Sequence, residues 1–180
     1  MNRAGPLAAL ALALAVSLPG GALAQDSTAQ GNASASVIQP LTATTLENLS
    51  FGAVTVGTSG GTLAVAANGT GASTSGSVRQ LCSDAAQCLP HPARFAVSGE
   101  RDRTYSVSLP DSLEAQGDRS GTSLTVDALT LVSRNRGTSD GGHLDHQGED
   151  IFAVGGTLQV PAGTPADTYR AQFDVIVSYD

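Results

Sequence analysis

Residues 168–179 (TYRAQFDVIVSY) constrain the fold of this chain more than any other stretch. Tyr169, Ala171, Phe173, Val175, Val177 and Tyr179 fall on one side of a period-two repeat. Arg170, Gln172, Asp174 and Ser178 fall on the other, interrupted only by Ile176. Side chains alternate between faces along an extended strand, so the segment presents one apolar and one mostly polar face. It contains no glycine or proline. An amphipathic strand of this length has to be paired and covered, and the remaining sequence must supply its neighbours.

That sequence is rich in Gly, Ala, Ser, Thr and Val and has no Trp. Short Val- and Thr-containing runs separated by Gly, Asn and Asp point to an all-β sandwich or barrel. Residues 37–42 (VIQPLT) form the first candidate strand, with Pro40 confining it to an edge or a strand start. Residues 46–56 follow, with Phe51 as a core anchor and Gly52 as a bulge or close backbone approach. Further candidates are 62–66, 78–81, 123–127, 129–133 and 151–160. Residues 94–99 and 104–109 read as a hairpin around the charged turn 100–103. The expected fold is an all-β, immunoglobulin-like antiparallel β-sandwich of about seven to nine strands, forming a single domain over residues 37–180.

The first 24 residues have Arg3, an apolar run over 7–18, a Pro-Gly-Gly break and Ala22-Leu23-Ala24. This is the layout of a signal peptide cleaved after Ala24. The apolar run is shorter than the roughly 20 residues a membrane span requires. Export to the periplasm, cell surface or medium is therefore expected, with no membrane span in the mature chain. Residues 25–36 (QDSTAQGNASAS) read as a flexible N-terminal arm. The net charge is −7, and −8 once Arg3 is removed, with every basic residue an arginine. An acidic chain without lysine argues against nucleic acid or anionic lipid as partner, because little on it would neutralise phosphates.

Two cysteines in an exported chain most simply pair, so Cys82 and Cys88 are expected to close a small disulfide loop contributing about 2 kcal/mol. Gly57-Thr58-Ser59-Gly60-Gly61 matches the nucleophile-elbow pattern G-x-S-x-G, but a strand-like segment follows where an elbow requires a helix. Ser59 therefore reads as a turn residue. His143 and His146, with Asp145, Glu149 and Asp150, make an H-x-x-H cluster of a type that can suit zinc, copper or nickel. In a polar loop that spacing fixes no geometry, and it reads as solvation rather than as a metal site. His91, between two prolines, reads as a rigid surface turn, and Asn32, Asn48 and Asn68 lie in N-x-[ST] sequons. No phosphate loop, dinucleotide fingerprint or calcium loop is present, so no cofactor is expected and no catalytic residues are assigned.

Several segments in order resemble one bacterial secreted family, domain of unknown function 4402. They are residues 35–41 (ASVIQPL), Leu49-Ser50-Phe51-Gly52, 93–99 (ARFAVSG), 103–110 (RTYSVSLP), 152–161 (FAVGGTLQVP) and the closing 169–179. The L-x-F-G element and the alternating last strand ending in Tyr179 are also similar to spore-coat-U-like and chaperone–usher pilus subunits. The chain departs from these in having Asp167 where such subunits usually have glycine, and in lacking a first-strand cysteine.

Pilus subunits have an incomplete sandwich filled by the N-terminal strand of the next subunit. The resemblance thus implies a non-enzymatic exported structural or adhesive protein. Its partners would be other copies of itself or pilus-type assembly factors, through Tyr169, Phe173, Val175, Val177 and Tyr179. The arm, however, offers only Ala29, Ala33, Ala35 and Val37. At about 0.8 kcal/mol per buried CH₂ these fill a groove weakly, so the last strand is expected to sit paired inside a closed sandwich. The alternative is a monomeric periplasmic or secreted ligand-binding module using loop 134–150.

Overall fold

The computed structural model describes residues 28–81, 89–135 and 139–180. The chain divides into two units, Met1–Ser36 and Val37–Asp180. In the first, residues 28–36 are exposed and form neither strand nor helix. The expected leader, residues 1–24, and the expected Cys82–Cys88 pair lie outside the described residues.

The described part of the second unit has thirteen strands and no helix. They are β1 (Thr42–Glu47), β2 (Val54–Val56), β3 (Gly61–Val65), β4 (Ala72–Thr74), β5 (Val78–Gln80), β6 (Ala93–Ser98) and β7 (Thr104–Ser108). There follow β8 (Ser112–Gly117), β9 (Ser123–Ser133), β10 (Gly141–His143), β11 (Glu149–Val160), β12 (Tyr169–Arg170) and β13 (Ile176–Tyr179). The count exceeds the expected seven to nine because several expected strands are interrupted and short pieces join the sheets.

β11 organises the unit. Its sequence alternates so that Phe152, Val154, Leu158 and Val160 are buried on one face. β9 runs antiparallel along one edge, and the other edge is shared end to end by β6, opposite Glu149–Val154, and β3, opposite Gly156–Val160. The change of neighbour falls at Gly155-Gly156, where a side chain on Gly155 would strike the Val65 carbonyl. On the β9 side the register slips between Gly155 and Thr157, next to Ala128 at φ 47°. This bulge lets the expected strands 123–127 and 129–133 run on as one, the eleven-residue β9, beside the twelve-residue β11.

The large sheet runs β1-β6-β11-β9-β8-β12, with β3 also on β11 and β4 on β3. Two smaller sheets, β10-β7-β13 and β2-β5, pack against it and complete a β-sandwich. Two buried clusters result. One centres on Leu63, Val78, Leu124, Val126 and Leu158 beneath β2-β5. The other centres on Phe95, Val97, Tyr105, Leu144 and Phe152 beneath β10-β7-β13, with Phe95 and Phe152 stacked at 5.1 Å. Leu129 and Phe173 pack against both.

Three expectations are corrected. β6 and β7 do not form a hairpin: β6 has β1 and β11 on its two edges, and β7 has β10 and β13. Their apolar faces, carrying Phe95 and Tyr105, meet across the sandwich, so turn 100–103 crosses between layers. The first strand starts at Thr42, leaving 37–41 outside any strand. Residues 46–56 are broken at Gly52, whose φ of 67° turns the chain before β2.

Candidate functional site: the open edge of the last strand

The terminal stretch keeps its alternation but is not one strand. Tyr169–Arg170 pairs with β8 in the large sheet, and Ile176–Tyr179 pairs with β7 in a small one. Between them residues 171–175 belong to no strand, and among the described residues their backbone makes no hydrogen bond to another segment. The chain here switches layers across the seam between the two core clusters, with Phe173 edge-on to Phe95 at 6.4 Å.

Tyr169 packs against the first cluster and Phe173, Val175, Val177 and Tyr179 against the second, yet every one is only partly buried. Ile176, the residue that breaks the alternation, is 64% exposed. β13 has β7 on one edge, from Ile176 opposite Ser108 to Tyr179 opposite Tyr105. Its other edge has no strand partner among the described residues. β13 is thus paired on one edge and is an edge strand of its sheet, preceded by five residues that join no strand. An open edge is a template for strand addition unless charge, proline or a bulge blunts it. Residues 171–179 carry one charge, Asp174, and no proline. β1, the other long edge, is preceded by Pro40 and is polar.

The ends of this segment are held by polar ties. At its start the Asp167 carboxylate accepts hydrogen bonds from the backbone N–H groups of Ser120 (2.7 Å), Arg119 (2.9 Å) and Thr168 (2.8 Å). The Ser120 N–H, followed by that of Arg119, holds this carboxyl well below the usual carboxylate range. The β8–β9 turn is thus fastened to the entry of β12. At its end the Tyr179 hydroxyl donates to the Gln39 carbonyl (2.8 Å) and accepts from the Glu100 N–H (2.6 Å). These partners are 140 and 79 residues away, a pairing that no local pattern could reveal.

Beneath β7 a buried polar knot ties the two layers. The Asp150 carboxylate, only 4% exposed as a residue, accepts from the Tyr105 hydroxyl (2.9 Å), the Ser133 hydroxyl (2.6 Å) and the N–H groups of Ile151 (2.7 Å) and Asn135 (3.2 Å). Burial first, then the charge and hydrogen bond of Asp150, push the Tyr105 phenol far above its ordinary value.

Asp150 therefore turns into the core, away from the histidines with which it shares a loop in sequence. His143 lies on β10 and His146 contacts Asp102 at 2.6 Å with its side chain 87% exposed. Asp145 accepts from the N–H groups of Glu149 and Gln147, the first of which chiefly lowers its pKa. Among the described residues no three His, Cys, Asp or Glu side chains converge as metal ligands. Ser59 sits in an exposed turn between β2 and β3, not at a strand-to-helix elbow. His91 makes a two-way backbone bridge with Ser50.

No curated protein and no solved structure matches the chain. Residues 41–179, which include every strand of the sandwich, match the model of the family described as Domain of unknown function (DUF4402), and the chain belongs to that family.

Proposed function

We propose that this is an exported, non-enzymatic structural or adhesive protein that assembles with further copies of itself through the open edge of residues 171–179. The observation that carries this reading is the combination of an unpaired backbone with a half-buried apolar face along the last segment. An added strand would satisfy the free backbone groups and finish burying Phe173, Val175 and Val177 in one step. A second reading, a monomeric ligand-binding module, draws support from a hollow of about 280 Å³ lined by Arg134, Asn135, Asp145 and Glu149.

Sedimentation of the chain from Gln25 onward separates the two. Concentration-dependent oligomers that disappear on deletion of residues 25–36 support assembly; a monomer at every concentration favours the module. Val175→Asp sharpens the result. Val175 is partly buried, so losing its apolar contact costs at most about 2 kcal/mol, and its exposed share lets the new carboxylate reach water, against a domain stability of about 5–15 kcal/mol. The variant is expected to remain a folded monomer and lose assembly. Unfolding of Val175→Asp would mean that the strand is already enclosed.

A further inference from the structure

The Tyr179 hydroxyl is engaged in a closed ring of hydrogen bonds. It donates to the Gln39 carbonyl and accepts from the Glu100 N–H, while the Gln39 N–H donates to the Glu100 carboxylate at 3.0 Å. Three distant pieces meet there: the end of β13, the crossover after β6, and residues 37–41, which precede β1. Those five residues join no strand. Pro40 lacks an N–H for one, Val37 is 96% exposed, and Leu41 touches the core cluster beside Tyr179. Apart from the packing of Leu41, the ring is what holds this lead among the described residues.

Gly99 makes the ring possible. A Cβ at that position would collide with the Tyr179 phenol oxygen and press on Leu41. Its φ is not in the left-handed region, so this glycine answers a need for space and not for conformation.

We propose that Tyr179 is a latch: it holds residues 37–41 against the end of β13, and its opening sets the rate at which that lead, with the arm preceding it, leaves to join another copy. The second half of this statement rests on the assembly reading above. The latch keeps an apolar lead, Val37-Ile38, fixed beside an edge that accepts strands, and so restrains premature pairing.

Tyr179→Phe removes the hydroxyl and keeps the ring in its packing. Gly99→Ala should expel the phenol by the opposite route. Amide hydrogen exchange of the chain from Gln25 onward reads the latch directly, and mixing of two isotopically labelled assemblies reads subunit exchange. In Tyr179→Phe the Glu100 amide, which loses its acceptor, is expected to exchange about fivefold faster, and the Gln39 amide, which keeps its own acceptor on Glu100, to quicken because the lead opens, with mixing accelerated in step and core amides of β11 unchanged. Unchanged Glu100 and Gln39 amides would overturn the latch whatever the assembly does. Faster amides with unaltered mixing would overturn its control of exchange. A wild-type chain that never associates would overturn the assembly reading, whereas the amide measurement would still decide whether the tie exists. If Gly99→Ala does not fold, Tyr179→Phe decides alone.

Discussion

Removal of the Tyr105 hydroxyl tests the polar knot that fixes one layer on the other. Tyr105 is 1% exposed, and its hydroxyl donates to a carboxylate on the opposite sheet. A hydrogen bond to a charged group contributes about 1.5–3 kcal/mol. Tyr105→Phe keeps the ring and leaves Asp150 with three donors of four, so a loss near 2 kcal/mol is expected. For a unit of this size that corresponds to a melting shift of roughly 4–8 °C. Urea unfolding at neutral pH should show a lower midpoint with the same slope, since the surface exposed on unfolding is unchanged.

Asp150→Asn completes a double-mutant cycle in which the two losses should overlap by about 1–2 kcal/mol. The pH dependence adds a sign. Tyr105 keeps its proton in the fold to higher pH than in the unfolded chain, where it titrates near 10. Its contribution is therefore complete below about pH 10 and declines as pH rises beyond it, and Tyr105→Phe should lack this part of the alkaline decline. Strictly additive losses, or a Tyr105→Phe loss below about 0.5 kcal/mol, would refute the reasoning, because the hydroxyl would then be no better bound than in water.

Two further outcomes are expected. Asp167→Asn should weaken the fastening of the β8–β9 turn to β12. Because the wild-type carboxyl is depressed, its contribution is present above the unfolded value near 3.9 and lost below it, so the variant should show a flatter acid decline in thermal melts. Gly142→Ala should destabilise by more than about 3 kcal/mol or prevent folding, since its Cβ would meet both the Tyr105 phenol and the Asp150 carboxylate; a melting point within 2 °C of wild type would show that the knot can move aside.

Strands whose apolar residues alternate without interruption were legible in the sequence: β6 and β7 fall within a residue of the expected 94–99 and 104–109. Their pairing was not, because periodicity assigns faces and says nothing about which edge lies next to which. β8 escaped notice, since Leu113 and Ala115 are the only apolar pair in SLEAQG. The terminal segment shows both sides of this limit. Its alternation predicts which side chains face inward, and Tyr169, Phe173, Val175, Val177 and Tyr179 do, whereas Ala171 is exposed. The same pattern cannot show that residues 171–175 leave one sheet before β13 enters another, because an unpaired extended chain has the same period as a paired one. Asp150 was grouped with His143 and His146 by proximity in sequence, yet it caps buried donors from three directions.

The way β11 is shared between neighbours bears on how the chain is made. Until β11 appears, β1–β6, β3–β4 and β8–β9 are separate two-stranded pieces. Each such ribbon is marginal in water without a sheet to join. Its closure with β3 joins residues nearly a hundred positions apart, for example Val160 with Gly61, the sort of long-range pairing that slows folding to milliseconds or seconds. A chain emerging from its N-terminus therefore stays open through most of its synthesis, and collapses only once Glu149–Val160 arrives to draw three ribbons into one sheet.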